Sequence, residues 1–181
     1  MIKELFKDQD HTFYLSKEFK PEFLEPIGNF VLWKLKNQWD DYNELYHATA
    51  FLEKVKANKE LWIDSHLMLK NTDLKGVAFI VGGNIQSADN RIEIYEERKS
   101  LLFKYFHILE KGKGYGTKWL SKIIIPYYQN LGYQSIYVTS SHVKSFALYE
   151  KYGHCLDEYT VQSDNKLFER KGKMFEIGLK A

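Results

Sequence analysis

The sequence predicts a mixed α/β fold, with a mostly antiparallel central sheet flanked by helices. Three observations predict it. Short β-branched and aromatic runs recur along the chain between turn residues. A helical pattern lies between the early and middle strands. A glycine-rich loop, Gly112-Lys113-Gly114-Tyr115-Gly116-Thr117, separates an apolar aromatic run from a long apolar-periodic one. At 181 residues, residues 1–181 read as a single domain, large enough to bury a core without staples.

Residues 11–16 read as a first strand. Residues 17–38 leave two readings open: Pro21 and Pro26 break helices, while 30–33 fit either a strand or a buried helix. Residues 40–58 read as a helix capped by Asp40 or Asp41, because Leu45, Ala48, Leu52 and Val55 recur at three- and four-residue steps. Strands over 61–69 and 74–81 flank the turn-rich 70–73, and Gly82-Gly83-Asn84 ends the second. A further strand falls within 100–109. Residues 115–131 read as a helix closed by Gly132, with Pro126 inside it removing one backbone bond and predicting a kink. A strand over 135–139 follows, then a short helix ended by Gly153 at the position after its C-cap. Residues 156–161 and 174–180 read as a final hairpin.

Composition excludes several classes. A chain that is 44% hydrophobic and 16% aromatic is not disordered. A net charge of +2, with basic and acidic residues interspersed, gives no footprint for nucleic acid. The single cysteine, Cys155, rules out an internal disulfide and fits a reducing cytoplasm. The first eight residues hold no long apolar run, so neither a signal peptide nor a membrane anchor is expected. Six scattered histidines show no metal-ligand spacing.

The glycine loop carries the chemistry. Glycines at alternate positions allow positive φ and close approach of a ligand to the backbone. Successive N–H groups, with the unpaired donors of a helix start, then make an anion cradle, most often for phosphate. Lys111 and Lys113 add positive charge. The spacing fits neither a Walker loop, since Gly116 is followed by Thr117-Lys118, nor a dinucleotide fingerprint, since it is GxGxG. Taken alone, the segment serves equally as an ordinary turn feeding a helix.

A second segment, about thirty residues on, adds specificity. Together the two resemble the GNAT family of N-acetyltransferases. The family's acyl-CoA loop, Arg/Gln-x-x-Gly-x-Gly/Ala, is matched by Lys111-Gly112-Lys113-Gly114-Tyr115-Gly116, with Lys111 replacing Arg or Gln. Its next motif, Asn-x-x-Ala-x-x-Leu-Tyr-x-x-x-Gly-Phe, is matched by His142, Ser145, Leu148, Tyr149 and Gly153-His154, with His142 replacing Asn and Ser145 replacing Ala. The resemblance covers residue 101 onward well, and the first hundred residues only by strand order.

The resemblance implies an enzyme that transfers an acetyl group from acetyl-CoA (coenzyme A) to a primary amine by direct transfer in a ternary complex. It implies that the loop 111–117, including Tyr115 and Thr117 through their backbone, holds the pyrophosphate. It implies that the preceding strand splays from its neighbour, so that backbone N–H groups of Phe106 and Ile108 take the pantetheine and the carbonyl oxygen. His142 and Ser145 face the cofactor or simply cap a helix. Tyr149, as phenol, protonates the leaving thiolate, a role suited to an ordinary pKa of about 10; its alternative is a tyrosine packed on the sheet. Candidates for removing the amine proton are Glu93, Glu96, Glu97, Ser100 and His107. Trp33, Trp39, Tyr42 and Tyr46 line an acceptor groove, or else belong to the core or a subunit interface. The acceptor is a small-molecule or peptide amine, no nucleic acid or membrane partner is expected, and the protein is a monomer or homodimer in the cytoplasm. Two rival readings share the loop: a non-catalytic acyl-CoA-binding regulatory module of the same fold, and an unrelated nucleotide-binding α/β domain.

Overall fold

In the computed structural model, residues 1–38, 42–163 and 165–179 are described. Trp39, Asp40, Asp41 and Lys180 lie outside them. The strands are β1 (Ile2–Lys7), β2 (Thr12–Ser16), β3 (Leu61–Lys70), β4 (Asp73–Gly83), β5 (Ser100–Ile108), β6 (Ser135–Ser140), β7 (His154–Gln162) and β8 (Glu169–Gly178). They form one mixed, mostly antiparallel sheet in the order β1-β2-β3-β4-β5-β6-β8-β7. The helices are α1 (Glu25–Asn37), α2 (Glu44–Ala57), α3 (Tyr115–Trp119), α4 (Ile125–Asn130) and α5 (Val143–Tyr152). By compactness the chain groups into two units: Met1–Val81 with Lys104–Tyr115, and Gly82–Phe103 with Gly116–Ala181.

In the first unit, β2 pairs antiparallel with β1 and with β3, running from Thr12↔Leu69 to Ser16↔Ser65. Residues 63–68 of β3 and 76–82 of β4 are buried continuously. Neither strand alternates there, because both faces are covered. Phe19 meets Phe79 edge-on at 5.8 Å. The open segment 17–38 is a single 3-10 turn, Pro21–Leu24, followed by α1. Both prolines lie in first turns, where the missing N–H has no partner to lose, so they start helices instead of breaking them. α2 begins at Glu44, four residues later than the sequence suggests. Its cap is Asn43, whose Oδ1 accepts the Tyr46 N–H at 3.1 Å. Ala48, Leu52 and Val55 are buried as their spacing predicts. β1 has no counterpart in the sequence reading: its residues are mostly exposed, so it lacks the alternation that marks a half-buried strand.

In the second unit, β5 runs parallel to β6 from Ser100↔Ser135 to Phe103↔Val138, and β8 pairs antiparallel with β6 and β7. The connection before β5 is shaped by Gln86, whose Nε2 donates to Ile92 O at 2.6 Å and whose Oε1 accepts Ile94 N–H at 3.1 Å. Between α3 and α4 the chain makes a π turn, Leu120–Ile124, in which Ile125 N–H reaches back to Leu120 O. Pro126 then falls in the first turn of α4, where it needs no donor. The predicted kink takes the form of this widened turn. α5 ends differently from the sequence expectation. Gly153 is the C-cap itself and is extended (φ −148, ψ −169), not left-handed. Glycine is required there because an added Cβ would run into the backbone carbonyl of Glu176 on β8.

Candidate functional site

The strand feeding the loop is irregular. Tyr105 in β5 sits at φ 54, a left-handed conformation unusual for a bulky side chain. Beyond it, the Leu109 N–H is held by Lys75 O at 2.8 Å. Gly112 and Gly114 then both adopt φ 75, and a Cβ built on either meets no atom within 4 Å. The loop is therefore glycine-rich for conformation and opens onto free space. Residues 111–114 are exposed, Tyr115, Gly116 and Thr117 are half-buried, and α3 starts at Tyr115. Thr117 O accepts the Ser121 hydroxyl at 2.7 Å, so this residue contributes to the helix through its backbone.

The two loop lysines have different surroundings. Lys111 Nζ lies 5.5 Å from the Phe30 ring centroid. Lys111 as a whole is exposed, but partial desolvation of its ammonium beside Phe30 holds it below the usual lysine range, opposed by the Glu44 charge. Lys113 Nζ donates to Glu110 Oε2 at 2.7 Å. That bond raises the lysine above its ordinary value and lowers Glu110 below its own.

Among the candidate proton acceptors, His107 is the one in a built environment. Its Nε2 is 2.9 Å from Glu44 Oε1, and both side chains are buried. Phe30 packs on the imidazole at 4.9 Å. α2 supplies Glu44 in its first turn, where a carboxylate is favoured by the helix start. The Glu44 role is absent from the sequence reading. Its partner is 63 residues away, and a glutamate opening a helix carries no signal beyond capping. Glu93 is exposed, Glu96 pairs with Lys99 at 3.1 Å, Glu97 Oε1 accepts the Gln86 N–H, and Ser100 is buried at the start of β5. Of the flanking predicted backbone donors, Phe106 is half-buried and Ile108 buried.

In α5, Tyr149 is 5% exposed, edge-on to Phe103 at 6.3 Å and tilted against Phe175 at 5.5 Å. Ser145 Oγ lies 2.8 Å from Ser140 Oγ and donates to His142 O at 2.7 Å, so its hydroxyl braces the start of the helix. His142 is the N-cap residue, but its side chain makes no capping bond. Of the aromatics in the first unit, Trp33 is half-exposed and stacks on Phe30 at 6.4 Å, Tyr42 stacks on His47 at 4.9 Å, and Tyr46 projects outward. Among the described residues no helix is long and apolar enough to cross a membrane.

No protein-family model and no curated protein matches the sequence. Solved structures do match. An N-acetyltransferase from Staphylococcus aureus aligns over 93% of this chain and 99% of its own, at 16% identity and a TM-score of 0.58. A GNAT-superfamily phosphinothricin acetyltransferase from Sinorhizobium meliloti, in complex with acetyl-CoA, aligns over 91% and 86%, at 14% identity and a TM-score of 0.57. The ribosomal alpha-N-protein acetyltransferase RimL aligns over 97% and 94%, at 10% identity and a TM-score of 0.57. At these identities the likeness establishes the fold: this chain has the GNAT fold.

Proposed function

We propose that the protein is an acetyl-CoA-dependent N-acetyltransferase acting on a primary amine by direct transfer in a ternary complex. The observation that carries this reading is the loop on the GNAT fold: two glycines at φ 75, open to space, alternating with two lysines ahead of a helix start. Acetyl-CoA brings an acetyl thioester, and the pyrophosphate of its coenzyme A part suits such a cradle. Backbone N–H groups of residues 112–117 hold the phosphates and Lys111 adds charge. The backbone of Phe106 and Ile108 orients the pantetheine and the carbonyl oxygen, and His142 and Ser145 flank the cofactor. Tyr105, left-handed within the strand, supports this use of the β5 backbone, since such strain gathers at functional positions.

The incoming amine must lose a proton. His107 accepts it, with Glu44 holding the ring and offsetting the charge it gains. Tyr149 donates a proton to the departing thiolate. The acceptor, a small molecule or a peptide, is selected by the aromatic surface of α1 and the start of α2. Both kinds of acceptor occur among the similar structures, as phosphinothricin and as a ribosomal protein.

Thermal unfolding with and without acetyl-CoA, with ATP and NAD as controls, tests the reading. A ligand bound only by the folded state raises the midpoint with concentration. A rise specific to acetyl-CoA is expected, and release of coenzyme A with members of an amine panel should follow. No rise at millimolar acetyl-CoA would overturn the reading.

A further inference from the structure

Glu110 lies between the end of β5 and the glycine loop, and three basic side chains converge on it. Lys113 donates to Oε2 at 2.7 Å, Lys70 Nζ is 3.6 Å from Oε1, and His11 Nε2 is 4.0 Å from Oε1. His11 is 1% exposed, neither of its ring nitrogens has a hydrogen-bond partner, and its ring packs 4.4 Å from that of Tyr115, the first residue of α3. Lys70 and His11 thus lie near Oε1 of the carboxylate, while Lys113 reaches Oε2 from the loop. Lys113, set between Gly112 and Gly114, points back along the chain with its charge already paired with this carboxylate.

We infer that Glu110 is a built-in counterion of the anion loop: it holds Lys113 until a diphosphate displaces it, and so sets the affinity of the loop through that lysine. This rests on the acyl-CoA reading above. The exchange is physically easy, because an exposed ion pair is weak and a diphosphate offers Lys113 more negative charge than one carboxylate does. Lys70 makes it tolerable. When Lys113 leaves, Glu110 keeps the Lys70 ammonium 3.6 Å from Oε1, and its repulsion of the phosphate is damped. The loop accordingly favours ligands with two linked phosphates over single anions, which cannot outcompete the resident carboxylate.

A double-mutant cycle read by isothermal titration tests this, with acetyl-CoA and inorganic pyrophosphate as separate probes. Glu110→Gln should tighten both by about fivefold and Lys113→Gln should weaken both by a similar factor, while Glu110→Gln added to Lys113→Gln should change binding less than about twofold. Circular dichroism of each variant checks that the fold is kept. An equal gain in both backgrounds would mean that Glu110 only repels the ligand through space, and would overturn the inference. Weaker binding in Glu110→Gln would also overturn it, as would the absence of pyrophosphate binding in both wild type and Glu110→Gln. Pyrophosphate binding with the cycle intact, but no acetyl-CoA binding, would leave the counterion standing and remove the acyl-CoA reading.

Discussion

At Gly114 the backbone is left-handed and an added Cβ meets nothing within 4 Å. At Gly153 the backbone is extended and an added Cβ runs into the Glu176 carbonyl. Both glycines adjoin a helix, and the sequence reads the first as part of an anion cradle and the second as a helix end. The first supplies conformation where there is room, and the second supplies room where the conformation is ordinary. An open glycine can be spent on a ligand, whereas a closed one is committed to the fold. The same contrast separates the exposed loop lysines from the tyrosine packed inside α5.

The most severe test of this contrast is Gly153→Ala. The methyl group has no space and the obstacle is backbone, so a loss of about 3 kcal/mol or more is expected from urea unfolding. A loss below about 1 kcal/mol would mean that β8 yields, and the contrast would blur. Tyr149→Phe asks whether the closed region also holds chemistry. The phenyl ring keeps the contacts with Phe103 and Phe175, so acetyl-CoA binding should persist while turnover falls by about a hundredfold. Collapse of binding would make Tyr149 structural.

Titration sharpens the buried side. His66 lies fully inside β3, and burial, aided by the Lys17 charge, lowers its pKa from 6.5 to about 3. Its folded pKa is depressed, so between pH 6.5 and about 3 the unfolded chain takes up a proton that the folded chain refuses. Stability should fall through that window, by up to about 1.4 kcal/mol per pH unit. His66→Gln should flatten the slope, measured as urea midpoints at pH 7 and pH 5. An unchanged slope would place the acid sensitivity elsewhere.

The mildest change to the fold is expected at the open loop. Gly114→Val pays only for a left-handed backbone, roughly 1–2 kcal/mol. The acetyl-CoA-dependent rise in melting temperature should nonetheless vanish, because the branched side chain enters the space the ligand needs. Binding at wild-type strength would show that the loop is only a turn.

The loop was legible in the sequence because its cause is local: alternate glycines ahead of a helical pattern permit positive φ, which Gly112 and Gly114 adopt while Gly116 joins α3. The strands from β2 onward and the Tyr149 helix were legible for the same reason, whereas the exposed β1 was not. The reason for Gly153 was not, since its neighbour Glu176 is 23 residues along the chain and β-pairing alone brings it close. Nor was the partnership of Glu44 with His107, in which an ordinary helix-opening carboxylate becomes a buried one through packing. Pro21 and Pro26 misled in a third way. Proline both breaks helices and begins them, and only the burial of Ile27 and Val31 behind them selects the second meaning.

The π turn ahead of Pro126 bears on chain length. Each residue of an α-helix turns the face by about 100°, and a π turn takes in one residue more than an α turn does. Downstream of Ile124 the helix is therefore out of phase with an unbroken helix begun at Tyr115, and it is in this shifted phase that Tyr128 is fully buried. Deleting a single residue from 120–124 would let this turn close to an ordinary α turn, and Tyr128 would keep its buried phase. Closing the π turn with every residue kept would instead swing Tyr128 by about 100° away from its buried position. The wide turn thus absorbs one residue more than a regular turn holds, and it sets which side of α4 faces inward.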